Sequence, residues 1–193
     1  MVRLVKEMNY YRKLYESLPD ELRNKLDEAL GILYEREGTL TIEEGEYYVG
    51  EYVYSHATGR MELFPAHYRY YKFMWEKNGK EEEKEISESE LLASYTPETV
   101  EKVFEYLEDE IEYRKVDIMV DLAEKVEQYF RDRFPSQSVE AVIDEKTIIV
   151  YINGKERYYV ECVEEVDFSS VTYRFVRTIY HFDPEEWRIY EVS

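Results

Sequence analysis

The 193-residue chain has a single cysteine, Cys162, so it can close no internal disulfide and build no cysteine-based zinc site. A lone thiol also fits a reducing compartment. Cys162 sits in the run Val160-Glu161-Cys162-Val163, which reads as a buried strand. Acidic neighbours raise a thiol's pKa, so a packed thiol rather than a nucleophile is expected there. Glycine and proline are scarce, seven and five in all, which excludes a linker-rich or low-complexity protein. No run of 18 apolar residues occurs, and Met1-Val2-Arg3-Leu4-Val5-Lys6-Glu7 has no signal-peptide core. A cytoplasmic protein that does not span a membrane is the expectation.

Basic residues are also in deficit. Lysine and arginine total 25 against 44 acidic side chains, for a formal charge of −19. Phosphate backbones and anionic lipid surfaces attract clustered cations, so direct binding to nucleic acid or to a membrane is not expected. A basic protein, a metal cation or a neutral small molecule is left as partner, and the charge by itself also keeps a protein soluble. Glutamine is confined to Gln128 and Gln137, and asparagine to Asn9, Asn24, Asn78 and Asn153. Abundant glutamate with so little Gln, Asn and Cys is the hyperthermophile pattern, which points to a thermophilic archaeon or one of its viruses or plasmids.

The periodicity that is present alternates between helix and strand. Met8, Tyr11, Leu14, Tyr15 and Leu18 recur at helical spacing, and Leu22, Leu26, Ala29, Leu30 and Leu33 form a second stripe. Pro19 separates the two and suits the first position of the second helix, and Gly38 supplies a stop. From Thr39 the period becomes two. Strands are expected over Thr39–Ile42, Glu46–Ser55, Met61–Phe64 and His67–Lys77. Breaks are expected at Glu43-Glu44-Gly45, Ala57-Thr58-Gly59 and Pro65-Ala66. Asn78-Gly79 signals a tight hairpin. The return strand Lys80–Ile86 is too charged to lie inside, which makes it an edge.

Thr96-Pro97-Glu98 then opens a helix that meets no Gly or Pro before Phe134-Pro135. Its apolar positions recur every eleven residues, at Val100, Ile111 and Leu122 and at Leu107, Ile118 and Tyr129. Val126 and Phe130 shift that stripe sideways, so the helix either changes partner or bends near Arg114-Lys115-Val116. Strands return at Val139–Ile143, Thr147–Ile152 and Arg157–Val163, with a second hairpin at Asn153-Gly154. A long strand over Val171–Phe182 and a final one over Trp187–Val192 close the chain. The fold expected is α+β: an N-terminal helical pair, one long central helix over about residues 97–134, and two antiparallel β-meanders bridged by it. One domain over 1–193 is expected, with 1–95 and 96–193 as candidate sub-units. Asn-Gly-Lys at both hairpins raises an internal duplication, against which the poor match of the flanking residues speaks.

Motifs that carry chemistry are few. Phosphate-cradling glycine patterns, paired-histidine zinc helices and the Gly-x-Ser-x-Gly elbow are all missing. There are three histidines: His56 and His67 flank a turn region, and His181 lies two residues from Asp183. A weak metal-nuclease pattern is present, with Asp144 ending one strand, Glu161 on a later one, and Glu124 and Glu127 on the preceding helix. Its lysine is missing, since Val163 stands two residues after Glu161. No cofactor is expected.

Two features stand out instead. Glu98, Glu101, Glu105, Glu108 and Glu112 follow helical spacing and form an acidic ridge opposite Val100, Val103, Leu107 and Ile111. Twenty-one tyrosines are present, with Tyr47, Tyr48, Tyr52 and Tyr54 on one strand and Tyr68, Tyr70 and Tyr71 on another. Alternation sends Tyr48, Tyr52 and Tyr54 to one face and Tyr47, Val49 and Val53 to the other, so both faces are apolar or aromatic and the sheet is either core, covered by helices of its own chain, or an interface. For the interface, Tyr48, Tyr52, Tyr54 and Tyr70 are the candidates for an aromatic surface, because a tyrosine ring buries area while its hydroxyl keeps a hydrogen bond. The sequence therefore predicts a non-enzymatic acidic interaction module that binds a basic, nucleic-acid-binding protein as inhibitor or mimic. The module itself is expected to be a homo-oligomer. A homo-oligomeric structural protein is the alternative, and a metal-dependent hydrolase around Asp144 and Glu161 the third.

Overall fold

The computed structural model describes residues 5–170, 175–183 and 186–193, with side chains described outside 5–8, 48, 49, 51, 64–66, 169, 170, 175 and 176. Helix α1 (Val5–Glu16) and helix α2 (Asp20–Leu33) form where the two leucine stripes predict them. Pro19 is the residue before α2 rather than its first turn, with extended backbone at φ −58°, ψ 147°. Leu22, Leu26, Ala29 and Leu33 are wholly buried, and α2 lays this stripe on the sheet that follows.

Strands β1 (Thr39–Ser55) and β2 (Arg60–Lys77) are longer than the sequence pattern predicts. Glu43-Glu44-Gly45 does not break β1, because each residue is accommodated by a neighbour. Glu43 accepts a hydrogen bond from the Tyr70 hydroxyl at 2.8 Å, Glu44 takes one from Lys115 Nζ at 3.0 Å, and Gly45 leaves room for the Tyr70 ring. Nor does Pro65-Ala66 interrupt β2. Strand β3 (Lys80–Ser87) pairs with β2 only as far as Tyr70, so at Pro65 β2 is an edge, where a sheet tolerates proline. The Asn78-Gly79 turn has positive φ at both residues, 50° and 80°, as a two-residue hairpin requires. A short helix α3 (Glu88–Leu92) leads to α4 (Pro97–Arg133), which runs unbroken for 37 residues, a rod of about 55 Å. Thr96 caps it by accepting from the Thr99 backbone N–H.

Beyond α4 lie β4 (Val139–Asp144), β5 (Thr147–Ile152), β6 (Lys155–Glu161), β7 (Val163–Ser170), β8 (Phe175–Phe182) and β9 (Arg188–Glu191). Of the long strand expected over Val171–Phe182, residues 171–174 lie outside the described residues. The strand expected over Arg157–Val163 is in fact two. Cys162 divides it, and β7 then runs through residues whose apolar spacing, Val163, Val166 and Phe168, is not strictly alternating.

That division changes the topology. The five-stranded sheet has the order β3-β2-β1-β8-β7, and the four-stranded sheet the order β4-β5-β6-β9, both antiparallel. The meanders do not belong one to each half of the chain. Strands β7 and β8 cross back to complete the first sheet beside β1, and β9 returns to the second. A boundary at residue 95 therefore cuts through the five-stranded sheet. Helix α4 serves both sheets: Phe104 packs on Tyr71 of β2, and Phe130 packs on Tyr158 of β6. The partner change comes near Arg114, whose guanidinium donates to the carbonyls of Leu33 and Glu35. One buried apolar cluster runs from α2 through the first sheet and α4 to Val150 and Val160 of the second.

Candidate interaction surface

The register of β1 and β2 creates a projecting arm. Strand β8 pairs with β1 only from Leu40 to Tyr47, and β3 leaves β2 at Tyr70. Past those points, among the described residues, the two strands have only each other, from Tyr48 opposite His67 to Ser55 opposite Arg60. Tyr52 lies opposite Leu63 and Tyr54 opposite Met61, which puts all four on one face. They are 70%, 52%, 52% and 57% exposed in the order Tyr52, Leu63, Tyr54, Met61. Val53, opposite Glu62, belongs to the other face. At the tip the His56 ring meets Tyr54 edge-on, Gly59 adopts φ +68°, and Thr58 donates to Glu62. Tyr52 and Tyr54 are thus exposed, on a strand that the sequence left open as core or interface. The place of Met61 and Leu63 was legible: once Ala57-Thr58-Gly59 is read as the turn, alternation sets them opposite the tyrosines.

Tyr70 is a correction. It lies on the opposite face, across from Gly45, and is buried to 5% exposure, so it does not belong to an aromatic surface. Its ring covers Gly45, and its hydroxyl serves Glu43, which Arg177 also approaches at 3.5 Å. Burial first, then the Glu43 bond, raises the Tyr70 pKa well above the ordinary tyrosine range. The Tyr48 side chain lies outside the described side chains.

The five glutamates of the ridge share one side of α4, but the chain partly answers them itself. Arg69 reaches Glu101 at 2.7 Å and Glu88 at 3.0 Å, and the Tyr10 hydroxyl donates to Glu105 at 2.7 Å. Lys102 stands 3.8 Å from Glu98, and Lys115 stands 3.3 Å from Glu112. Glu98, Glu101, Glu108 and Glu112 nevertheless remain exposed, and Glu105 is half-buried against α1. Lys115 is the most enclosed cation near the ridge. It lies 3.4 Å over the Tyr180 ring, bonded to Glu44. Burial lowers its pKa, and Glu44 and Glu112 more than offset that, so it stays charged. Glu44 itself is raised, because desolvation outweighs Lys115.

Asp144 and Glu161 lie two strands apart and line one cleft. They share one cross-strand row, Asp144–Thr147–Glu161–Arg188, and the cleft, of about 440 Å³, lies where the two sheets meet. His181, Cys162 and Asp183 line it too. Glu124 and Glu127 do not join them. Glu127 accepts from the Ala141 backbone and pairs with Arg131, on the helix side of the sheet, and both line a separate depression. Among the described residues no group of three or more His, Cys, Asp or Glu is placed to hold a metal ion. The histidines are dispersed: His56 is at the arm's tip, His67 at its base 3.7 Å from Glu46, and His181 beside Thr41. Cys162 is buried, and burial pushes its thiol up to about 11, far from a thiolate at neutral pH.

Compared with known proteins, the chain matches no family model, no curated protein and no solved structure. Among the described residues no helix is long and apolar enough to cross a membrane.

Proposed function

We propose that this protein is a non-enzymatic interaction module that engages a basic protein through the acidic face of α4. The observation that supports this reading is the persistence of exposed carboxylates at Glu98, Glu101, Glu108 and Glu112 along one side of a single helix, in a chain of charge −19. A line of carboxylates on a rigid rod resembles a phosphate backbone in charge, so the partner is a protein whose basic surface binds nucleic acid. Complementary charge speeds the encounter and suppresses wrong partners.

Affinity capture from the native host, eluted with salt, tests this without assuming a partner. The expected result is a basic protein released by salt and displaced by competing DNA. Glu101→Lys with Glu105→Lys should weaken its binding at least ~10-fold, the loss of about 1.4 kcal/mol. Undiminished binding by the doubly reversed protein would show that α4 has no such role. Self-assembly is a second reading, favoured by the exposed arm.

A further inference from the structure

We infer that the β1–β2 arm is a homodimerisation element, docking face to face on the same arm of a second copy. This goes beyond the binding of a basic partner and uses a different surface.

The arm has too little structure of its own. Eight residue pairs extend past the last described flanking strand, a ribbon of roughly 25 Å. An isolated two-stranded ribbon is marginal in water and needs a further strand or layer. No such layer meets the Tyr52-Tyr54-Met61-Leu63 face within the described chain, and these side chains keep more than half their surface exposed. The other face of the ribbon is more polar, with Ser55, Arg60 and Glu62 beside the exposed Val53. Leu63 is steered by Gly50, where a Cβ would stand 2.7 Å from the leucine Cδ1.

Charge selects the occupant. Between Gly50 and Leu63 the acids are Glu51 and Glu62, against Arg60, so the arm is nearly neutral on a molecule of charge −19. A basic partner finds no counter-charge there, whereas a second copy meets no concentrated like charge. The arm's length spans about three Debye lengths at physiological salt, which screens the two acidic bodies from one another. A two-fold axis would set the same four side chains against their equivalents, the self-complementary arrangement of an isologous dimer. Those four expose roughly 500 Å² per copy, so pairing them buries about 1,000 Å², the lower limit for a specific interface. The two α4 faces would remain free in such a dimer.

Sedimentation equilibrium across a concentration series tests this. The expected result is a reversible monomer–dimer equilibrium between 23.5 kDa and twice that mass. Raising the salt should leave the dimer intact or tighten it, the reverse of the behaviour expected of a basic partner on α4. Tyr52→Ser with Leu63→Ser should raise the dimer dissociation constant at least ~100-fold, with an unchanged circular dichroism spectrum. Val53→Ser, on the other face, should leave the dimer as it is. A wild-type chain that stays monomeric at millimolar concentration overturns the inference. So does a double variant as dimeric as wild type, or a Val53→Ser chain that dissociates equally. None of these outcomes bears on capture of a basic protein through Glu101 and Glu105.

Discussion

Gly45 and Tyr70 show how one position can reverse a local reading. Glycine after two glutamates looks like a turn, yet here it is a strand residue whose missing side chain is filled by an aromatic ring from the next strand. A Cβ on Gly45 would overlap the Tyr70 ring, which is itself buried and held by Glu43. Gly45→Ala should therefore destabilise the protein by about 1–3 kcal/mol, the usual cost of overpacking. Urea denaturation reads this directly. In a double-mutant cycle with Tyr70→Leu, which itself removes the hydroxyl from Glu43, the two losses should sum to more than the double variant loses, because the smaller side chain vacates the space. Tyr71 makes a similar point from the other face. It packs on Phe104, and burial followed by the charges of Glu44 and Glu108 raises its pKa above the ordinary tyrosine range.

Among the elements, α4 does the most to join the molecule. Phe104 contacts the five-stranded sheet and Phe130 the four-stranded one, and both are almost fully buried. Removing either ring, as Phe104→Ala or Phe130→Ala, should cost about 3–5 kcal/mol. A continuous helix has to unfold with both sheets, so each substitution should lower one common transition. The two tryptophans allow the check, since Trp75 lies on β2 and Trp187 packs on Tyr129 at the end of α4 beside the second sheet. In each single-tryptophan variant, Trp75→Phe and Trp187→Phe, the fluorescence midpoint should coincide with that variant's own circular dichroism midpoint. Separate midpoints would mean that the helix does not couple the sheets. The helix's length and start were legible because Thr96-Pro97-Glu98 is a strong start signal and no breaker follows until Pro135. Its change of partner was legible only as a sideways shift at Val126. Two antiparallel sheets were legible but their strand order was not, because β8 reaches β1 across more than 100 residues of sequence, and no local pattern encodes which strand will lie beside which.

For the whole molecule, charge sets how stability responds to conditions. A net charge of −19 repels itself, so added salt should raise the midpoint of thermal unfolding by screening. Acidification from neutral pH should act in the same direction at first. The folded state raises the Glu44 pKa, first by desolvation, so over the window between the ordinary glutamate value of 4.5 and that raised value the folded protein binds the extra proton. Its contribution is fully present below the ordinary value and is lost as pH rises through the folded one. Glu28, held below its ordinary value by the hydrogen bond from Lys84, works in the opposite sense at lower pH. Differential scanning calorimetry between pH 7 and pH 5 should show the midpoint rising, and Glu44→Gln should flatten part of that rise. A midpoint that falls steadily from pH 7 would show that paired carboxylates outweigh both self-repulsion and Glu44.

The sequence alone determined helices α1, α2 and α4, both Asn-Gly hairpins, the charged edge strand β3 and the packed thiol. Each depends on spacing or turn chemistry within a few residues. Only the tertiary structure decided that β1 and β2 run on as a bare arm, that Tyr70 lies inside, that the α4 glutamates are partly paired, and that the two sheets share the C-terminal strands. Those outcomes rest on which distant residue arrives beside each position, and such meetings are fixed by the packing of the whole chain rather than by the order of its residues nearby.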